Sequence, residues 1–241
     1  ICYLQAKQKK ALTFGITLEL LNFPDNVSED ELIKSIEQLN GDSTVNGIII
    51  ERPIPKHLNF TNIISFLDPQ KDVDCATAAN LGYILQGIPK WLPATADAVI
   101  RILEFYNIPV EGQHVVIIGR SLSVGLPLAN ILLLKECGKN ATVTVCHSKT
   151  KNLEDICRSA DILVVTMGRA EFIDGKYIKP SAVVIDVGIN YTENGLTGDV
   201  NFKSIEGIAS SATPVPGGVG PVTVSVLFEN CVKAAKNTVI S

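Results

Sequence analysis

The chain has 241 residues, of which 46% are hydrophobic, and a formal net charge of −4 at pH 7. That length and apolar content are sufficient for one large domain or two smaller lobes. The negative charge excludes the basic surface typical of nucleic-acid-binding proteins, and no apolar run approaches the ~20 residues of a membrane-spanning helix. Six cysteines without a C-x-x-C pair predict buried thiols rather than zinc ligands or disulfides. Composition therefore predicts no nucleic acid, no membrane and no metal as partners.

Apolar stretches alternate between the spacing of strands and that of helices. In chain order we expect a helix over 3–14, a strand over 16–21, a helix from a capping box at Ser28 to about Asn40, and a strand over 47–50. A helix over 97–106, capped by Thr95, precedes strands predicted at 114–118, 141–145, 161–166 and 182–187. The last helix is predicted from Pro221 to about Asn237. This alternation predicts an α/β fold with a parallel sheet.

A glycine-containing turn follows the predicted strand at 114–118. Residues 119–125 have the sequence G-R-S-L-S-V-G, and an apolar helical pattern follows. A strand, a tight turn and a helix present backbone N–H groups to a pyrophosphate, although the spacing differs from G-x-G-x-x-G. We therefore expect Gly119, Arg120, Ser121 and Gly125 to contribute to a dinucleotide site.

A second loop, at 213–223, contains three glycines and three prolines and precedes the last helix. Glycines allow the backbone to approach a flat ligand, and prolines keep the loop stiff. Together the two loops predict an enzyme that brings a dinucleotide against a planar substrate.

The periodic pattern restarts near residues 92–95, which predicts a boundary between two lobes. Residues 1–94 are expected to form a parallel-sheet substrate lobe and residues 95–213 a Rossmann-like nucleotide-binding lobe, with a ligand cleft between them. Residues 214–241 would supply the glycine/proline loop and a helix that returns to the first lobe.

The residues after the second nucleotide-lobe strand favour NADP over NAD. An NAD site usually has an acid about 20 residues past the glycine turn. Here the strand ends in Cys146-His147-Ser148-Lys149, without a carboxylate. Arg120, Ser148 and Lys149 could instead bind a 2′-phosphate. The alternative is that Arg120 and Lys149 are ordinary solvated charges.

Eight short motifs occur along the chain in the following order: Y-x-x-x-K at 3–7, K-D-V-D at 71–74, P-A-T at 93–95, G-R-S-x-x-V-G-x-P at 119–127, C-H-S-K-T at 146–150, D-V-G-I-N at 186–190, G-D-V at 198–200 and P-V-P-G-G-V-G-P-x-T at 214–223. Together they resemble the bifunctional methylenetetrahydrofolate dehydrogenase/methenyltetrahydrofolate cyclohydrolase family over essentially the whole chain. The resemblance implies NADP-dependent oxidation of 5,10-methylene- to 5,10-methenyltetrahydrofolate, hydrolysis to 10-formyltetrahydrofolate, and a homodimer. The family normally has a further helix and strand before the Tyr/Lys motif, so the N-terminal part of this lobe is expected to be missing.

The resemblance also implies roles for individual residues. Thr95, Ile189 and Thr223 match positions near the nicotinamide half of the cofactor. Gly217, Gly220 and Pro221 match the substrate-binding loop. Asp74 would hold the pterin by accepting its N–H donors. The alternative for Asp74 is that it caps its own turn.

Tyr3 and Lys7 are four residues apart, so on a helix they project from the same face. The resemblance implies that they act on the substrate, with Lys7 as the group that manages protons during water addition. The alternative is that Lys7, like Lys9 and Lys10, belongs to a solvated helix face.

Three positions depart from the family pattern. Glu51 stands where the family commonly has a glutamine beside the lysine, and a carboxylate there would stabilise the charged form of Lys7 and weaken hydrolysis. Arg52 could instead neutralise Glu51. Cys75 replaces a glycine and would shift the substrate turn if its φ must be positive, whereas Ala96 replaces a proline with little expected effect.

Two other functions remain possible at this point: an inactive remnant that binds folate or nucleotide, and an unrelated α/β dehydrogenase. The second explains the glycine turn but not the glycine/proline loop. We expect a cytoplasmic protein. A mitochondrial location stays open as the alternative, because the sequence begins at Ile1 without a methionine and reads as a fragment with its N-terminus missing.

Overall fold

A computed structural model describes residues 2–135, 139–193 and 195–239, and it describes no side chains for residues 2–6 and 237–239. The chain divides into two compact units. Unit 1 comprises residues 1–94 and 224–241, and unit 2 comprises residues 95–223. The helices α5 (Ala94–Phe105) and α9 (Val219–Val239) contribute residues to both.

Unit 1 is helical in its described residues. Besides its part of α9 it contains α1 (Cys2–Thr13), α2 (Glu29–Gly41), α3 (Phe60–Ile64) and α4 (Ala78–Leu85). The predicted N-cap at Ser28 is confirmed, because its side chain accepts a hydrogen bond from the N–H of Glu31 at 3.2 Å. One apolar cluster gathers Ile36, Ile48 and Ile63, and a second joins α1 to α9 through Ala11, Val224 and Phe228.

The strands predicted at 16–21 and 47–50 were wrong. Residues 16–21 have no regular secondary structure, and Ile16 and Leu18 pack instead against the cluster between α1 and α9. In the second segment Ile48 makes a single parallel bridge to Asp72, and its N–H donates to the carbonyl of Lys71 at 2.7 Å. An apolar run becomes a strand only where a neighbour completes the ladder, and tertiary packing decides this. The described part of unit 1 therefore lacks the predicted parallel sheet.

Unit 2 contains the parallel sheet that the alternating pattern predicts. Its strands are β1 (His114–Ile118), β2 (Thr142–Cys146), β3 (Ile162–Val165), β4 (Val183–Asp186) and β7 (Ser211–Ala212), in the spatial order β2-β1-β3-β4-β7. Every pair is parallel, with Val116 of β1 opposite Leu163 of β3. The central strands β1 and β3 are almost wholly buried, as expected of a sheet covered on both faces.

Shorter elements connect these strands. They are α6 (Gly125–Leu132), α7 (Leu153–Arg158), a 3₁₀ turn (Gly175–Tyr177), an antiparallel pair of β5 (Asn190–Thr192) and β6 (Gly195–Thr197), and α8 (Phe202–Ile205). Two predicted helix ends shift. Thr95 lies in the first turn of α5 rather than at its N-cap, and α9 begins at Val219, before Pro221. Among the described helices none has the length and apolar character needed to cross a membrane.

Candidate active site

The carboxyl ends of the parallel strands bring the sequence-predicted cofactor motifs to one edge of the unit 2 sheet. Residues 119–124 leave β1, residues 147–150 leave β2, and residues 187–189 leave β4. In the spatial order of the strands, β2 lies on one side of β1 and β3 lies on the other, so the direction of the connections changes between β1 and β3. Ligands of open α/β sheets bind outside the carboxyl ends of the strands at such a switch point. The glycine turn therefore lies where a dinucleotide binds in this class of fold.

Close packing explains why glycines stand at both ends of this turn. Gly119 has a φ of +130°, and a Cβ there would overlap the carbonyl of Thr166, which follows β3. A Cβ at Gly125 would overlap the carbonyl of Gly119. The start of α6 is thus held directly against the end of β1, which is the role of glycines that bring a helix close to its strand.

Side chains in the two adjoining loops stabilise the loops themselves. The Ser121 hydroxyl accepts a hydrogen bond from the N–H of Val124 at 3.1 Å. After β2, the N–H of His147 donates to the Thr150 hydroxyl at 2.9 Å, and the N–H of Lys149 donates to the ring of His147 at 3.1 Å. These bonds leave Arg120, Ser148 and Lys149 exposed on well-defined turns.

Two buried carboxylates connect the D-V-G-I-N and G-D-V motifs. Asp186 accepts hydrogen bonds from the N–H groups of Gly188 (2.9 Å), Asp199 (3.1 Å) and Val200 (2.9 Å). Asp199 accepts the N–H groups of Met167 (2.7 Å), Gly168 (2.9 Å) and Arg169 (2.7 Å), and the amide of Asn190 at 2.9 Å. Burial raises the pKa of Asp186 to about 6, although the three N–H donors oppose this shift.

The two motifs therefore shape the loops after β3 and β4. A Cβ at Gly188 would overlap the Asp199 carboxylate, and one at Gly198 would overlap that of Asp186. The sequence singled out these motifs without assigning a role to their aspartates. Their carboxylates bind backbone, which fixes where the exposed Ile189 lies.

The glycine/proline loop joins β7 to α9. Gly217 has a φ of +103°, a conformation that favours glycine, and a Cβ at Gly218 would overlap the carbonyl of Pro214. A Cβ at Gly220 would meet no described atom within 4 Å. The conformation of the loop thus requires glycine at 217 and 218. At Gly220 the missing side chain instead leaves open space beside the backbone. The predicted cofactor residue Thr223 is buried and donates to the carbonyl of Val219 at 3.1 Å.

In unit 1 the Lys7 ammonium is hydrogen-bonded to a carboxylate oxygen of Glu51. The Lys7 side chain is 6% exposed and that of Glu51 is 50% exposed. Lys7 is therefore not one of the solvated lysines of α1, unlike Lys9 and Lys10. Arg52 lies over the ring of Phe60, with its guanidinium carbon 4.9 Å from the ring centroid. The side chain of Tyr3, predicted beside Lys7, lies outside the described part of the structure.

Asp74 lies in the electrostatic field of Lys7. Burial raises the pKa of Asp74 to about 6, and Asp72 adds to this shift. Lys7, Arg52 and the N–H of Ala94 act in the opposite direction. Asp74 is thus a partly buried carboxylate next to a buried lysine, an arrangement that recurs at functional sites.

A second aspartate, Asp72, holds the turn that carries Asp74. Its carboxylate accepts the N–H groups of Ala76 at 2.9 Å and Thr77 at 2.8 Å, and the amide of Asn80 at 2.9 Å. Turn capping, the alternative considered for Asp74, is therefore performed by Asp72. Cys75 has a φ of +54°, so the turn adopts the left-handed conformation at this position with a cysteine in place of glycine.

These features define a class of protein: an α/β protein with a Rossmann-like nucleotide-binding unit and a unit in which a buried lysine lies near a partly buried aspartate. A family model described as "Tetrahydrofolate dehydrogenase/cyclohydrolase, catalytic domain" matches residues 1–74. The family's "NAD(P)-binding domain" model matches residues 93–239. The chain belongs to the tetrahydrofolate dehydrogenase/cyclohydrolase family, so the resemblance seen in the sequence is confirmed.

Individual relatives agree. The chain is 47% identical over 235 residues to the "Bifunctional protein FolD" of Agathobacter rectalis, covering 97% of this chain and 83% of that protein. It is 49% identical to the "Bifunctional protein FolD" of Thermodesulfovibrio yellowstonii, covering 97% and 81%. Its fold is similar to that of a 5,10-methylenetetrahydrofolate dehydrogenase from Bombyx mori, with a TM-score of 0.95, 37% identity, and coverage of 100% and 85%.

A Trypanosoma brucei methylenetetrahydrofolate dehydrogenase-cyclohydrolase, solved in complex with NADP cofactor and inhibitor, has a TM-score of 0.92 at 35% identity, with coverage of 100% and 83%. The sheet edge of unit 2 is the part of this chain that fits such a cofactor. Gly119 and Gly125 hold the start of α6 close to the end of β1. Arg120 and Lys149 supply positive charge in the loops beside it. No group of three or more metal-binding side chains occurs among the described residues.

Proposed function

We propose that this chain oxidises 5,10-methylenetetrahydrofolate to the 5,10-methenyl compound with NADP, and hydrolyses the product to 10-formyltetrahydrofolate. The observation that carries the proposal is the buried Lys7 beside Asp74, in a chain that matches both domains of the family. The similarity to bifunctional relatives favours this function over an inactive remnant.

The oxidation requires two rings to be held in position, and NADP supplies the hydride acceptor when bound. Asp74 would orient the pterin by accepting its N–H donors, which requires the ionised carboxylate. Gly217, Gly220 and Pro221 would lie against the folate, since the open space at Gly220 permits a flat ligand to approach the backbone. Thr95, Ile189 and Thr223 would lie near the nicotinamide.

Cofactor preference would depend on the exposed residues at the sheet edge. A 2′-phosphate carries negative charge and several acceptor oxygens, which Arg120, Ser148 and Lys149 can match with donors. The absence of a carboxylate in residues 146–150 removes the usual partner of an NAD ribose. We therefore propose NADP as the preferred cofactor.

The hydrolysis requires a group that moves a proton while water adds to the methenyl carbon, and we assign that role to Lys7 with Tyr3 beside it. The ammonium of Lys7 donates to the carboxylate of Glu51, and an ammonium cannot accept a proton. The oxidation does not need this proton transfer. We therefore propose that hydrolysis is the slower of the two steps and that the methenyl compound accumulates.

A homodimer formed largely through the nucleotide-binding units is part of this proposal, as is a cytoplasmic location, because six cysteines without paired spacing are typical of a reducing compartment. Sedimentation at about twice the monomer mass of 25.9 kDa is the expected result. A monomer at micromolar concentration would contradict the assembly but leave the chemistry open to its own test.

That test mixes purified protein with methylenetetrahydrofolate and either NADP or NAD, and follows the reduced nicotinamide and the methenyl compound by absorbance. We expect reduction of NADP at a higher kcat/KM than that of NAD. No reduction of either cofactor would overturn the proposed function, and a preference for NAD would overturn the cofactor assignment alone.

A further inference from the structure

Two backbone segments of unit 1 meet at Asp74. One is the turn at 72–75, and the other is the segment at 91–94 that leads into α5. The indole N–H of Trp91 donates to the carbonyl of Asp72 at 2.8 Å, and the thiol of Cys75 donates to the carbonyl of Trp91 at 3.2 Å. The N–H of Ala94 also acts on the Asp74 carboxylate and lowers its pKa. The orientation of Asp74 thus depends on how these segments are held together.

Asn230 holds both segments from α9. It is fully buried, and its side-chain amide donates to the carbonyl of Val73 at 3.0 Å and to that of Leu92 at 2.9 Å. Val73 immediately precedes Asp74, and Leu92 lies two residues before Ala94. One side chain therefore fixes the backbone that carries the carboxylate and the backbone whose N–H acts on it.

The amide orientation of Asn230 is determined by these two bonds. Both of its N–H donors point at carbonyl oxygens, whereas its Oδ1 atom is buried without a donor among the described residues. A buried acceptor without a partner is unfavourable, so the Oδ1 atom gives no reason for an asparagine at this position. Its two donated bonds are what the residue supplies.

We infer that Asn230 is a positioning residue for the reaction: it holds Asp74 and the N–H of Ala94 in the geometry in which the carboxylate can bind the pterin. This inference rests on the proposed function, since the role of Asp74 does. Asn230 acts through the backbone, at 157 residues' separation from Val73, and outside every motif that the sequence singled out.

The inference predicts a particular change in pH dependence. The groups whose charge acts on Asp74 are Lys7 on α1, Arg52, and Asp72, while Cys231 on α9 senses both Asp74 and Lys7. The N–H of Ala94 is the donor in this set that lowers the pKa of Asp74 by hydrogen bonding. Loosening the two segments would weaken that bond, so the pKa of Asp74 would rise above its present value of about 6.

The experiment compares Asn230→Ala and the equally shaped Asn230→Asp with Asn40→Ala. Asn40 is a matched control, because its amide donates to the carbonyl of Phe66 at 2.7 Å and its oxygen accepts the N–H of Asp68 at 3.1 Å, in the same unit but outside the segments at 72–75 and 91–94. For each folded variant we would measure stability, the KM for methylenetetrahydrofolate and for NADP, and kcat/KM from pH 5 to 8.

We expect both Asn230 variants to lower kcat/KM for the folate about tenfold or more, the size expected for weakening hydrogen bonds to a charged group, with the KM for NADP within about twofold of wild type. The acidic limb of the profile should move to higher pH. Asn40→Ala should lose stability alone. Wild-type kinetics in an Asn230 variant, or an Asn40 variant with the same kinetic change, would overturn the inference. Wild type without activity would overturn the proposed function instead.

Discussion

The buried ammonium of Lys7 donates to the half-exposed carboxylate of Glu51, so helix α1 is joined through this lysine to the segment before Pro53. Lys7 also lies close enough to Asp74 to act on its ionisation. One lysine thus faces two carboxylates that we assign to different steps.

Replacement of Lys7 by methionine should separate those steps. Methionine keeps the length and apolar stem of the side chain but has no proton to transfer. We expect Lys7→Met to abolish hydrolysis of the methenyl compound and to retain part of the NADP-dependent oxidation, because oxidation depends on ring position. Both rates are measured on one sample, and equal losses in the two would contradict the assignment. Lys10→Met, at an exposed position of the same helix, is the control.

Arg120 should discriminate between the two cofactors. Charge-assisted hydrogen bonds to a phosphate contribute about 1.5–3 kcal/mol each, so Arg120→Ala should raise the KM for NADP about tenfold or more while changing that for NAD little. The matched control is Arg158→Ala, since the Arg158 guanidinium is bound to Glu154 at 3.1 Å and Asp155 at 2.6 Å within α7. An equal effect of Arg120→Ala on both cofactors would show that Arg120 does not bind the 2′-phosphate.

Ionisation of Asp74 should set the acidic limit of folate use. Since the pKa of Asp74 is about 6, kcat/KM for methylenetetrahydrofolate should fall as the pH drops below 6. The stability of the folded protein should depend on pH in the opposite direction. Folding raises the pKa of Asp74 from 3.8, so the carboxyl group contributes its full stabilisation below pH 3.8 and loses it as the pH rises through 6. Asp74→Asn should remove both dependences. A kcat/KM profile in wild type that is flat between pH 5 and 7 would refute this role.

The two buried aspartates of unit 2 should differ in their effect on stability. Each carboxylate oxygen of Asp199 accepts two N–H donors, so in Asp199→Asn the new amide nitrogen must face at least two donors. One oxygen of Asp186 accepts two donors and the other accepts only the N–H of Val200. In Asp186→Asn the amide oxygen can therefore keep two donors, and the amide nitrogen faces only the N–H of Val200. Unsatisfied buried groups cost about 1–3 kcal/mol each, so Asp199→Asn should be destabilising by about twice as much. Urea denaturation of both variants measures this. Equal midpoints would mean that these hydrogen bonds are not what the carboxylates contribute.

The sequence predicted the elements of unit 2 well because each has its own local signal. Buried strands are continuous apolar runs, and the glycine turn marks the point where β1 passes into α6. The failures at 16–21 and 47–50 have a common cause: whether an apolar run pairs as a strand depends on neighbours distant in sequence.

The same limit applies to the site. Lys7, Asp74 and Arg120 lie in recognisable motifs, whereas Asn230 is an ordinary residue of a helical pattern. Its role becomes visible only when folding brings it to Val73 and Leu92. Cys75 illustrates a different limit, since the sequence raised the question of a positive φ and only the backbone answered it.

Glu51 is proposed to restrain Lys7, and replacement of Glu51 by glutamine tests this restraint. Glutamine can still accept a hydrogen bond from Lys7 but has no negative charge to hold the ammonium. With NADP and methylenetetrahydrofolate, wild type should release the methenyl compound faster than it hydrolyses it. Because a well-placed acid–base group is worth about 10²–10⁴-fold, Glu51→Gln should raise the hydrolysis rate by about tenfold or more at an unchanged oxidation rate, and the build-up should disappear. Glu37→Gln, at an exposed position of α2, should behave as wild type. An unchanged hydrolysis rate in Glu51→Gln, or wild type without methenyl build-up, would contradict the account.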